Sequence, residues 1–184
     1  ELGRPALSAM QGAAGGPLHG VRVIEIGHYT TVPVTARSLA ALGAEVVKVE
    51  PPGGEAVRGW PPAREGQGIF FTFQNTDKKS VCLDMGSAPD RELLWQKIAS
   101  AEELIETLRP GAPPAKGFTP EALRAANPRL VACAVSGFGI DSAYPGRAAF
   151  DAVIQAMSGL MDVTRIARAP VKTGPSLADV TGAA

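Results

Sequence analysis

VRVIEIGHYTTVPVTARSLAALGAEVVKVE, residues 21–50, is the stretch on which the fold turns. VRVIEI at 21–26 is short, apolar and β-branched, which predicts a strand, and Gly27–Thr31 follows as a polar loop. Pro33 fits the first turn of a helix with Thr31 near its cap, because the missing proline N–H has no helical partner there in any case. Helical spacing then runs through Ala36, Leu39, Ala40 and Leu42 until Gly43 ends it. AEVVKVE at 44–50 reads as a second strand. Strand, helix and strand in about thirty residues form a βαβ unit, whose crossover is right-handed and whose strands are parallel.

The alternation continues outward from this unit. Pro51–Gly68 is rich in Pro, Gly and charge and predicts a surface loop, and Ile69–Phe73 fits a short helix or a short strand. Lys78 and Lys79 precede a strand at Ser80–Met85, then a helix at Arg91–Ser100 and a short strand at Glu103–Glu106. Arg109–Phe118 is a turn-rich connector, and Thr119-Pro120-Glu121 opens a helix to Ala126. Leu130–Val135 is a further strand, Phe150–Leu160 an amphipathic helix, and Gly174–Ala178 the approach to a last helix. Strands alternating with helices predict an α/β fold: a Rossmann-like, mostly parallel sheet flanked by helices. Residues 17–184 are expected to form this domain, with the Ala/Gly-rich residues 1–16 as a flexible linker or extension.

Formal net charge is zero, from 18 basic and 18 acidic side chains, with no basic run to support a nucleic-acid partner. No apolar stretch approaches the roughly 18 residues of a membrane span, and the first twenty residues lack the layout of a signal peptide. A cytoplasmic protein is expected. Cys82 and Cys133 have no CxxC partner or neighbouring His, so no metal site is expected and both read as buried structural thiols.

Ligands of open α/β sheets bind at the loops that follow the strands. The first such loop contains His28, one of two histidines, which either touches a ligand or is merely solvated or hydrogen-bonded. Gly53 and Gly54 allow close backbone approach to an anion, but no GxGxxG or Walker A spacing occurs. Arg58, Arg64, Lys78 and Lys79 are candidates to neutralise phosphates, or ordinary solvated charges. Asp179 lies in PSLADVTGAA, a run of small and apolar residues entering a helix. It is either a partly buried carboxylate with a chemical role or a helix-start acid stabilised by N–H groups.

Several segments together resemble the class III CoA-transferase family. They are PLHGVRVIEIG (17–27), LGAEVVKVEPPGG (42–54), RGW (58–60), NTDKKSVCLDM (75–85), RPG (109–111), ALRAANPRLVACAVSGFG (122–139), FDAVIQAMSGLM (150–161) and TGPSLADVTGA (173–183). The resemblance implies the N-terminal part of that family's Rossmann-like large domain, in members roughly twice as long that interlock as dimers. It implies Asp179 as the nucleophile that moves coenzyme A between an acyl-CoA thioester and a carboxylic acid, through a mixed anhydride and an aspartyl-CoA thioester. No permanently bound cofactor is expected. The CoA-contacting loops of the family match Tyr29, Thr30, Thr31, Pro51, Leu83, Thr107 and Leu108. The sequence departs from the family at Thr31-Val32-Pro33, where AGP is usual, at Gly86 in place of a common Lys, and at Thr107 in place of an Asn. Ala115, beside Lys116, stands near the position of a common Arg. These departures relocate or weaken some phosphate and adenine contacts.

Two other readings stand beside the transferase. One is a non-catalytic or assisting module of a larger assembly, partnered by a second copy or a complementary C-terminal half. The other is the α-methylacyl-CoA racemase branch, disfavoured because Phe150 stands where that branch has a His before Asp151.

Overall fold

A computed structural model describes residues 15–108, 117–139 and 141–184. Most of the 1–16 extension, the RPG segment and the Ala115 departure lie outside the described residues.

The βαβ unit forms as read. β1 (Arg22–Ile26) and β2 (Glu45–Glu50) pair in parallel around α1 (Thr31–Ala41). Gly27 is required at the end of β1, because a Cβ there would lie 2.3 Å from Val32 Cγ1 of the incoming helix. The helix starts one step from the expected cap: Thr30 holds the cap position and makes no side-chain cap bond.

A 3₁₀ turn (Ala56–Gly59) and the small hairpin β3 (Ala63–Arg64) and β4 (Gln67–Gly68) fill the loop after β2. The ambiguous 69–73 segment is a helix, α2 (Ile69–Gln74). Next come β5 (Lys79–Cys82), α3 (Ala88–Ala99), β6 (Glu103–Glu106), α4 (Pro120–Ala126) and β7 (Val131–Ala134). Thr119 Oγ1 accepts the Ala122 N–H and caps α4, as its position before Pro120 predicts. The expected Phe150–Leu160 helix is two, α5 (Asp151–Met157) and α6 (Leu160–Val163), because Gly159 takes φ +81° between them. α7 (Leu177–Thr181) carries Asp179.

The main sheet runs β5-β2-β1-β6-β7 with every neighbouring pair parallel. The chain therefore reverses its direction of travel across the sheet between β1 and β6. On one face Ile24, Ile26, Val49, Leu83 and Leu104 pack with Leu94, Ile98, Phe118 and Leu123. On the other, Val23, Val46 and Ile105 pack against Val32 and Ala36 of α1. Side chains alternate along a strand, so Glu25 and Lys48 share the α1 face with Val23 and Val46, nearer the carboxyl ends. Both are fully buried.

The cysteine expectation is corrected: Cys82 and Cys133 are both exposed. Cys82 ends β5 and Cys133 lies in β7, the two edge strands, where the apolar context of each residue is not matched by a covering layer among the described residues.

Candidate active site

Strand order places a crevice beyond the carboxyl ends of β1 and β6, the position where open α/β sheets hold ligands. A cavity of about 480 Å³ lies there. From the loop after β1 it takes His28, Tyr29, Thr30 and Thr31; from the loop after β6, Thr107 and Leu108. Pro51 and Glu55 enter from the loop after β2, Arg147 and Phe150 from the segment before α5, and Asp179 from α7. Seven of the eight sequence-selected residues thus meet at one cavity. Leu83 stands apart, with its side chain in the core.

Local geometry holds these loops in place. Thr107 N–H extends the ladder to Ile26 O at 3.1 Å, and the Leu108 N–H is held by the Glu106 carboxylate. Tyr29 adopts φ +65°, a left-handed conformation uncommon for a bulky residue. Its ring centroid lies 5.7 Å from that of Trp60 and 6.2 Å from that of Phe150, forming an aromatic wall.

Asp179 is half-buried in the first turn of α7. Burial pushes its carboxyl up from the ordinary value and the like charge of Asp151 adds to this. The Thr31 and Thr30 hydroxyls and the Lys172 ammonium oppose the shift without cancelling it.

Asp151, Gln155 and Lys172, which sequence reasoning missed, support this acid. Asp151 is buried; its Oδ1 accepts the Ala178 N–H at 2.9 Å and its Oδ2 accepts Gln155 Nε2–H at 2.7 Å. Lys172 Nζ lies 3.2 Å from the same Oδ2. Burial raises the Asp151 carboxyl, but these donors outweigh it and hold Asp151 below its ordinary value. Gln155 Oε1 in turn accepts the Thr173 N–H and hydroxyl, both at 3.0 Å. The signal available was Asp151 and Gln155 one helical turn apart, two polar residues within an otherwise apolar segment.

The four phosphate candidates are engaged elsewhere. Arg58 binds Glu50 in a fork, Nε to Oε2 and Nη2 to Oε1, each at 2.6 Å. Lys78 is buried on Glu25 and held down at about 8, because burial outweighs the attraction of that carboxylate. Lys79 pairs with Glu45 at 2.6 Å on the surface. Arg64 pairs with Glu65 beside a second, broader hollow of about 750 Å³ along α2. Arg64 lines that hollow, but none of the eight residues selected as nucleophile or CoA contacts does. Among the described residues no cluster could hold a metal ion, and no helix is long and apolar enough to cross a membrane.

Comparison with known proteins agrees with this fold. The family model for CoA-transferase family III matches residues 18–184. An acetyl-CoA:oxalate CoA-transferase of Acetobacter aceti is 36% identical over 91% of this chain and 44% of its own length. A succinate–glutarate CoA-transferase of Agrobacterium fabrum is 32% identical over 89% of this chain and 43% of its own. The crystal structure of a CAIB/BAIF family protein from Brucella suis superposes with a TM-score of 0.86 at 36% identity, covering 90% of this chain and 46% of that one. The chain thus spans less than half the length of these relatives.

Proposed function

The chain belongs to CoA-transferase family III, and from that premise we propose that it carries the nucleophile and the CoA-facing loops of an enzyme that moves coenzyme A from an acyl-CoA thioester to a carboxylic acid. The observation that supports this most is the position of Asp179. Its half-buried carboxylate, with a raised proton affinity, faces a cavity at the reversal point of a parallel sheet. A more basic carboxylate is a better nucleophile, and partial desolvation removes water that would shield it.

One Asp179 oxygen attacks the thioester carbonyl carbon, the C–S bond breaks and its electron pair leaves on sulfur, giving a mixed anhydride and CoA thiolate. The thiolate then attacks the Asp179 carbonyl of the anhydride, forming an aspartyl-CoA thioester and releasing the donor acid. An acceptor carboxylate repeats the two steps in reverse. Tyr29, Thr30, Thr31, Pro51, Thr107 and Leu108 form the wall along which the CoA chain lies, and a second copy or a complementary C-terminal half closes the cavity.

Mass spectrometry of the complete protein, incubated with acyl-CoA thioesters and hydroxylamine, tests the reading. Asp179 is expected as its hydroxamate with selected thioesters only. An unmodified Asp179 in a folded sample would sink the mechanism and leave the chain as an assisting module.

A further inference from the structure

A chain of alternating charges runs beneath the loop after β1. Lys78 Nζ lies 2.8 Å from Glu25 Oε2, Lys48 Nζ 2.8 Å from Glu25 Oε1 and 3.4 Å from Glu55 Oε2. His28 comes next, its Nδ1 3.6 Å from the same Glu55 oxygen. The side chains of the four inner members are at most 3% exposed, whereas that of His28 is 39% exposed and lines the cavity.

Glu55 is the member with both carboxylate oxygens unsatisfied. Neither of its oxygens accepts a hydrogen bond among the described residues, and contacts at 3.4 and 3.6 Å are beyond ordinary hydrogen-bond length. A buried carboxylate without donors is costly, so a structural role alone does not account for it. Two of the three Lys48 ammonium donors are taken by Glu25 at 2.8 Å and Gly27 O at 2.9 Å, which leaves Lys48 a longer 3.4 Å contact to Glu55. Two ammonium groups and two carboxylates balance along the chain, and a proton on His28 would continue the alternation into the cavity.

We infer that Glu55 is a positioning residue that pairs, across 3.6 Å, with the Nδ1 edge of a protonated His28 ring, and that Nε2–H on the opposite edge of that ring serves the sulfur of coenzyme A. The inference rests on Asp179 being the nucleophile. When the C–S bond breaks, the electron pair stays on sulfur and His28 Nε2–H donates a hydrogen bond to the thiolate. No bond to His28 forms, and the thiolate is released from that hydrogen bond as it attacks the anhydride. Arg147 and Asp179 face the same cavity, and Lys48 lies behind Glu55. Of the two basic side chains at the cavity, His28 and Arg147, His28 alone has a buried carboxylate beside it among the described residues.

A leaving-group comparison in the complete protein tests this. Asp179 acylation is measured with two thioesters of one acyl group, on pantetheine and on an acidic aryl thiol whose thiolate needs little stabilisation. His28→Asn is expected to slow the pantetheine reaction by about 10²-fold and the aryl reaction by less than about 10-fold. Glu55→Gln is expected to give a smaller loss with the same bias and to move the His28 Nδ1 signal in ring-nitrogen NMR. Glu55→Asp should restore part of both. Equal losses on the two thioesters, with an unchanged thermal melt, overturn the assignment. Should His28→Asn fail to fold, an unchanged ratio in Glu55→Gln overturns it by itself. No acylation of Asp179 in the unsubstituted protein overturns the nucleophile reading instead.

Discussion

Asp151 Oδ1 accepts the backbone N–H of Ala178 at 2.9 Å, so the residue before Asp179 is tied to the start of α5. The bond crosses from one short helix to another, and neither α5 nor α7 is long enough to be stable without such ties. The orientation of Asp179 therefore depends on a side chain in a different element.

Asp151→Ala should loosen this arrangement without unfolding the sheet. It strips the acceptor from Ala178 N–H, Gln155 Nε2–H and Lys172 Nζ together. Leaving such groups unsatisfied costs about 1–3 kcal/mol. Hydrogen exchange at Ala178 should accelerate by about 10-fold or more, as 1.4 kcal/mol corresponds to a factor of ten, while β1 amides stay protected. Uniform acceleration across the sheet would place Asp151 in global stability instead.

Two substitutions should move the pH dependence of Asp179 in opposite directions. On the proposed mechanism the attacking form of Asp179 is the carboxylate, so trapping is expected to rise with pH through its titration. Thr31→Val removes a donor that favours the carboxylate and should move that limb to higher pH. Asp151→Asn removes a like charge and should move it to lower pH. Hydroxylamine trapping across pH 3–7 (about the range where carboxylates titrate) reads both shifts. Shifts of the same sign would show that the threonine and aspartate act through packing.

The sheet was legible because its strands are short apolar runs between clear breaks. β6 matches Glu103–Glu106 as read, β1 and β2 each start one residue later, β7 is one residue shorter at each end, and β5 ends at Cys82, short of the expected Met85. α3 starts earlier than read, at Ala88, with Pro89 in its first turn, where a proline is tolerated. Asp179 and the cavity loops were reachable from strand order and family resemblance. The charge ladder was not. Glu25 and Lys48 are distant in sequence and become partners only through the β1–β2 register, which pairs them across the strands. The clue was their presence inside otherwise apolar strands, where a charge must find an opposite charge or a hydrogen bond. Arg58 and Lys78 looked like ligand cations because their acidic partners lie in elements that only the fold brings near.

Acid should destabilise the protein through Glu50. Burial raises this carboxyl, but Arg58, the Ser80 hydroxyl and the Glu55 N–H outweigh burial and hold it at about 2, below its ordinary value of 4.5. A depressed carboxylate contributes fully above its unfolded value, and that contribution is lost as pH falls from about 4.5 toward about 2. The linked stability is about 2–3 kcal/mol, allowing for the part-exposed Arg58. Glu50→Gln should lower stability at neutral pH by a similar amount and flatten the slope across that window. Urea denaturation at several pH values checks it, and an unchanged acid slope would assign the loss to other carboxylates.

The last expectation concerns β7. All four of its residues are exposed, Val131 to 63%, and among the described residues β7 pairs with β6 alone. An apolar strand with an open edge is a template for pairing with another chain. Two devices that protect such edges, Lys and Pro, are absent from VACA, whereas β5 at the opposite edge begins with Lys79. The 184-residue chain alone should therefore associate with itself through β7. Val131→Lys should weaken that association by about 10-fold or more, since a charge on the strand must be desolvated for a second strand to dock. Cys133, exposed in the same strand, should react readily with a thiol reagent in the dilute chain and more slowly as concentration rises. Sedimentation velocity and thiol labelling over one concentration series read both effects. A chain that stays monomeric, with Cys133 labelling independent of concentration, would show that the β7 edge does not direct association.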